Sequence, residues 1–383
     1  MRPDLRSGRP PSESVARPNI PALTGLRYLA AVHVVLTHTS AFAREWPVPI
    51  RHILDRGFVG VSLFFILSGF ILAYTYLDTA GQTLRGNKKD FWVSRFARIY
   101  PLYVVGLLVA APIFVHVIRT GLVSHPDALQ ALILTPMMLQ AWSPTAALAW
   151  NSPAWSLSAE VFFYAMFPFV LGPLARIRGR KILWLMFGIW LVSLGLAASQ
   201  AILMPDLLWQ EFVIHVPATR IAEFIIGVLL GVGYVRFGWR PPSWSATASM
   251  IAIVAALALS PDFLPHSIIS NALLVPLFCL LILGLTGMKG APVRILSHPW
   301  FVVLGEASFA VYLLHIPLYR YYYNAGNSIL PGFSESAGGI LLFIVVVTSI
   351  AIAMYYFVEV PSRRVIRRSL LDKRHEPRSI HAR

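Results

Sequence analysis

The 383-residue chain is 57% hydrophobic and only 13% charged, with a formal net charge of +15 and a mean hydropathy of +0.66. Soluble domains carry about 25% charged residues, so the composition excludes an ordinary soluble domain and points to an integral membrane protein. In such a chain the excess of Lys and Arg is a topology signal, not a nucleic-acid footprint, and the single cysteine, Cys279, excludes an intrachain disulfide or a cysteine-built metal site.

Residues 1–20 are polar and Pro-rich and lack the apolar core of a cleaved signal peptide. They read as a cytoplasmic tail. About 20 mainly apolar residues are needed to cross the hydrocarbon core, and ten runs qualify. They cover 21–43, 57–77, 99–118, 156–175, 182–203, 217–235, 245–260, 268–287, 299–319 and 338–358. The short seventh run reads as extended or tilted. A further stretch, 128–142, has Pro136 at its middle and reads as a buried or re-entrant segment. With the N-terminus inside, 25 of the 32 Lys and Arg fall in inner segments, five in outer ones, and Arg27 and Arg220 within spans. That asymmetry predicts an all-α bundle of ten transmembrane helices with both termini cytoplasmic. An eleventh span at 128–142 would destroy it. The basic tail, 359–383, is expected to lie on the anionic inner leaflet. No internal repeat and no soluble domain are evident.

Ionisable side chains inside spans are costly and point to function. Arg27 and His38 are eleven residues apart, so they share one helix face about 16 Å apart along the axis; His33 points elsewhere. Arg27 either serves a buried site or snorkels to headgroups, and His38 either reacts or bonds a neighbouring helix. In FWVSRFARIYPLY, residues 91–103, Arg95 and Arg98 project to one side of a helix. They suit a phosphate-bearing ligand or act as interfacial anchors. In NSPAWSLSAEVFFY, residues 151–164, Trp155 reads as an interface anchor and Glu160 follows one turn into the fourth span. The predicted depth of Glu160 is that of His38, which would permit a His–Glu couple; otherwise Glu160 bonds nearby helix ends. Arg220 and Glu223 read as a mutually neutralising pair that could also contact a polar acceptor. His315 either lines the cavity of His38 or is structural, and Glu306 receives no role. The glycines of span two permit close helix packing. Nucleotide-binding, zinc and G-x-S-x-G motifs are absent, and no metal is expected.

Taken together, LTGLRYLAAVHVVLTH, FVGVSLFFILSGFIL, RFARIYPLY, NSPAWSLSAEVFFY, RIAEFIIG and LGEASFAVYLLHIP resemble the acyltransferase-3 family of membrane O-acyltransferases over nearly the whole chain. The family's hallmarks match Arg27 with His38, Arg95 with Arg98, and Glu160 after WSLS. The resemblance implies a ten-span enzyme of the bacterial cytoplasmic membrane, with 21–358 as the acyltransferase domain. It implies transfer of an acyl group, often acetyl, from cytoplasmic acyl-CoA to a hydroxyl of an extracytoplasmic carbohydrate such as exopolysaccharide, O-antigen or glycolipid. Larger relatives add an esterase-like domain; its absence here leads to the expectation of a single-domain enzyme, acting alone or with a separate periplasmic or polysaccharide-assembly partner. In the expected mechanism Arg95 and Arg98, with Arg27, hold the acyl-CoA phosphates. His38 acts as base or nucleophile and Glu160 orients it. Trp155, His315 and Arg220 are the candidates for receiving the sugar. The rival class is a transporter or flippase of a lipid-linked sugar, disfavoured by the lack of paired Gly/Pro-broken spans.

Overall fold

The computed structural model describes residues 17–371 apart from 79, 204, 205 and 288. The expected tails at 1–16 and 372–383 lie outside the described residues. Among the described residues there is no strand, only an isolated bridge between Leu77 and Leu84. The helices are α1 Pro21–Thr39, α2 Val48–Asp55, α3 Val59–Tyr76, α4 Lys88–Arg119, α5 His125–Leu134, α6 Trp155–Arg176, α7 Arg180–Leu203 and α8 Leu207–His215. They continue as α9 Pro217–Phe237, α10 Ser245–Leu259, the single turn α11 His266–Ile268, α12 Val275–Leu285, α13 Ala291–Leu296, α14 Pro299–Ile329, α15 Ala337–Met354 and α16 Val360–Leu371. Seven helical stretches are long and apolar enough to cross a membrane, while α10 and α12 are shorter apolar helices.

Helix directions follow from who touches whom. Gly57 packs on the His33 carbonyl and Gly60 on that of Ala30, so α3 runs antiparallel to α1. Gly305 packs on Thr24, and His315 lies beside His38, so α14 runs parallel to α1. Trp92 donates to the Tyr164 carbonyl while Trp150 donates to that of Leu107, so α4 and α6 are antiparallel. The α3–α9 crossing is a backbone contact: a Cβ at Gly69 would overlap the Phe224 carbonyl, and one at Gly227 that of Ile66. Small residues permit such approach between apolar helices that gain little from water exclusion.

Several predicted boundaries move. The helix carrying Arg95 and Arg98 begins at Lys88, capped by the Asn87 side chain accepting from the Lys89 N–H, and runs unbroken past Pro101 and Pro112. Span 268–287 is interrupted: a π-turn at Ile269–Leu273 precedes α12, which opens on Val275-Pro276, a position where the missing N–H costs nothing. The last span ends at Met354 and passes through a π-turn, Tyr355–Glu359, into the basic helix α16. Segment 128–142 holds the end of one short helix, α5, which stops before Pro136, and a 3-10 turn at Gln140–Trp142. Tyr103 donates to the Thr135 carbonyl and Tyr100 to that of Pro136, so this segment folds back along α4. Met138 takes a left-handed φ of 58° at the reversal.

The start of α6 matters most for the site. Pro153 and Ala154 of the turn Ser152–Ala154 are buried, and the preceding Asn151 donates from Nδ2 to the Leu313 carbonyl at 3.1 Å. The helix therefore begins packed against α14.

Candidate active site

A cavity of about 380 Å³ lies among α1, α3, α4, α6 and α14. Its walls include residues of α3 from Val61 to Thr75, about 21 Å of helix rise. Its mouth is basic. Arg27, Arg95 and Arg98 line it together with Arg17, so the structure brings the three sequence-predicted arginines into one chamber. Arg95 is held: Nη2 donates to the Tyr76 hydroxyl at 3.1 Å and the guanidinium lies 5.4 Å from that ring. Arg27 and Arg98 make no ion pair or side-chain hydrogen bond among the described residues. Glu306, Glu359 and Glu160 stand within electrostatic range of both. Glu359, 1% exposed, comes from the π-turn ahead of α16 and accepts from Arg363 at 3.4 Å. Neither Glu306 nor Glu359 was assigned a part from sequence, and nothing in their local spacing announces one.

Arg17 sits outside the spans and closes the end of α3. Nη1 donates to the carbonyls of Tyr74 and Leu77 at 2.6 and 2.7 Å, and Nη2 to that of Asp78 at 3.1 Å. These are carbonyls a helix terminus leaves without partners. The turn beyond is tied by Asp78, which accepts from the Gln82 N–H and the Thr83 hydroxyl, each at 2.7 Å. Partial burial pushes the Asp78 carboxyl up, but the Thr83 hydroxyl and the backbone N–H groups outweigh it and hold it below its ordinary value.

Glu160 lines the same chamber and does not meet His38. Its Oε1 accepts from the Tyr164 hydroxyl and, at 3.2 Å, from Ser68. Ser68 is eleven residues along α3 from Gly57, which packs against His33 and Thr37, so Glu160 lies about 16 Å from the level of His38. The expected His–Glu couple is therefore not formed, because α6 starts against α14 and carries Glu160 to the arginines. Tyr164 was legible as a partner, since it is four residues on along the same face.

The partner of His38 is His315. His38 Nδ1 lies 2.9 Å from the Val34 carbonyl and 3.3 Å from His315 Nε2; His315 Nδ1 lies 2.6 Å from the Tyr312 carbonyl. His315 is fully buried, whereas His38 is exposed at the end of α1. The cavity ends below this pair. Tyr312 lines its deep end, with its hydroxyl donating to the Pro153 carbonyl at 3.0 Å and lying 2.9 Å from Ser156 Oγ. Neither histidine lines the cavity, so the expected open passage to His38 is not present; Tyr312, three residues before His315, is the lining residue nearest the pair in sequence.

Two of the residues expected to receive a sugar are packed away. Trp155 is 8% exposed, 4.5 Å from the His215 ring and edge-on to Phe65, and does not line the chamber. Arg220 Nε pairs with Glu223 Oε2 at 3.1 Å, Nη2 donates to Ser62 at 3.0 Å, and its guanidinium faces Phe65 and Trp155. That is the neutralising pair the spacing suggested. His33, as expected, points away and bonds the Ile53 carbonyl. Among the described residues no three His, Cys, Asp or Glu side chains converge as a metal site would require.

A helical bundle with seven stretches long and apolar enough to cross a membrane, around a chamber lined by arginines, defines a multi-pass membrane protein. The acyltransferase domain family model, Acyl_transf_3, matches residues 20–358, and the chain belongs to that family of acyltransferases. It is 32% identical over 374 residues to acyltransferase MdmB of Streptomyces mycarofaciens, covering 91% of this chain and 93% of that one. It is 24% identical to putative O-acetyltransferase SACOL0978 of Staphylococcus aureus strain COL and 23% identical to O-acetyltransferase OatA of strain NCTC 8325. Each of these matches covers 90% of this chain and 57% of the relative, so the chain spans little more than half the length of the staphylococcal proteins. No solved structure matches it significantly.

Proposed function

We propose that this membrane acyltransferase takes an acyl group, acetyl in the simplest case, from acyl-CoA at the cytoplasmic face. It delivers the group to a hydroxyl of an extracytoplasmic carbohydrate, such as an exopolysaccharide, O-antigen or glycolipid. One observation carries the reading: Arg27, Arg95 and Arg98 converge in a single chamber that leads toward the His38–His315 pair. Guanidinium groups bind phosphate in bidentate fashion, and Arg27 and Arg98 hold their charge without an ion-pair partner among the described residues. The phosphates of the donor stay at the mouth, and its thioester arm lies along α3. Tyr312 swings from Pro153 and Ser156 to open the last stretch.

His38 is the base. Its Nε2 removes the proton of the acceptor hydroxyl as that oxygen attacks the thioester carbonyl. The C–S bond breaks, and the departing thiolate takes that proton from His38 to leave as the CoA thiol. Glu160 serves the donor chamber, not the proton transfer. Ten spans with both ends cytoplasmic, in a bacterial cytoplasmic membrane, fit the 25-to-5 charge asymmetry. The helix directions agree with that alternation: α1 and α14 point one way, and α3 and α9 the other.

The test uses inverted membrane vesicles from the native host and from a strain lacking this chain, supplied with labelled acetyl-CoA. Base-labile acetyl in the glycan or glycolipid fraction and release of free CoA should appear only with the chain present. Equal labelling in both rejects the reading.

A further inference from the structure

The two histidines define a tautomer chain. A backbone carbonyl only accepts, so the 2.6 Å contact between His315 Nδ1 and the Tyr312 carbonyl puts the proton on Nδ1. In a neutral ring the other nitrogen, Nε2, is then a bare acceptor. His38 Nδ1 lies 3.3 Å from that acceptor and 2.9 Å from the Val34 carbonyl. Both partners accept, so Nδ1 of His38 carries its proton and its Nε2 keeps the lone pair. Burial fixes the arrangement at one end only: His315 is 0% exposed and its ring is 5.0 Å from that of His38, which is partly exposed.

We propose that His315 is a positioning residue for His38, filling the part that sequence gave to Glu160. It holds His38 in the Nδ1–H tautomer with Nε2 directed to the acceptor side, and its own Nε2 receives a stronger hydrogen bond once His38 is protonated. No proton passes to His315. The acceptor's proton resides on His38 Nε2 until the departing thiolate takes it up. This inference rests on His38 being the base.

Two polar substitutions separate positioning from packing. In His315→Asn the shorter amide can still donate to the Tyr312 carbonyl but falls short of His38. In His315→Gln the amide oxygen reaches His38 Nδ1. In native-host vesicles supplied with acetyl-CoA, the Asn variant should lose at least about tenfold in saturated rate per enzyme, within the ~10²–10⁴-fold that acid–base catalysis contributes. The Michaelis constant for acetyl-CoA should stay unchanged, and the Gln variant should recover most of the rate. A wild-type rate for Asn, equal losses for Asn and Gln, or a shift confined to the Michaelis constant would each overturn the assignment. His38→Ala, measured alongside, keeps the two ideas apart: an active His38→Ala removes the base itself, whereas an inactive one beside a fully active His315→Asn removes only the positioning role.

Discussion

Replacing Arg98 by glutamine takes a guanidinium charge out of the arginine-lined chamber and leaves an amide that can still hydrogen-bond. Arg98 is half-buried and makes no ion pair among the described residues, although Glu306, Glu359 and Glu160 lie within electrostatic range, so the change reaches the fold through Glu359 as well as the ligand, and inserted protein is measured beside affinity. A hydrogen bond to a charged group is worth about 1.5–3 kcal/mol, which corresponds to about 10- to 150-fold in affinity. The Michaelis constant for acetyl-CoA should rise by that factor, while the rate at saturation falls much less. The assay is CoA release from acetyl-CoA in vesicles, with the amount of inserted protein measured on the same membranes. Arg95→Gln should behave differently, because Arg95 is also bonded to the Tyr76 hydroxyl and set among rings; it should lower folded yield as well as affinity. If Arg98→Gln inserts normally and leaves the Michaelis constant untouched, the phosphate-binding argument is refuted and the arginine is an interfacial anchor.

Glu160→Gln keeps an oxygen for Tyr164 and Ser68, so it should fold and alter acetyl-CoA affinity by several-fold without the ~10²–10⁴-fold loss that a direct partner of His38 would show; steady-state kinetics decide. Gly227→Ala puts a Cβ onto the Ile66 carbonyl at the α3–α9 crossing and should cost about 1–3 kcal/mol in detergent unfolding, whereas Gly188→Ala, with open space around it, should be neutral or stabilising. The Asp78 carboxyl is held below its ordinary value, so its ionised form stabilises the 77–84 turn above the unfolded value of about 3.9. That contribution should persist at neutral pH and disappear as pH falls through the lower folded value; hydrogen exchange of the turn in wild type and Asp78→Asn reads this directly. With Cys279 buried, a membrane-impermeant thiol reagent should label Glu45→Cys in intact cells and Lys88→Cys only after lysis; the reverse would invert the topology.

Helix periodicity is a local property, and what depends on it was legible in the chain. The apolar runs announced the helices. Eleven-residue spacing put Arg27 and His38 on one face, and three-residue spacing did the same for Arg95 with Arg98 and for Arg220 with Glu223. Depth is not local. Trp155 resembles a surface anchor, yet Pro153 and Ala154 before it are buried, and that offset of several turns carries Glu160 from the expected level of His38 to that of the arginines. Nor is lateral neighbourhood local. His38 and His315 are 277 residues apart in sequence, and Glu359 reaches the arginine cluster from a π-turn no composition marks. The face a side chain occupies is set within one turn of its own helix. What stands opposite it depends on where each helix starts and which partner packs against it, and only the assembled bundle decides that.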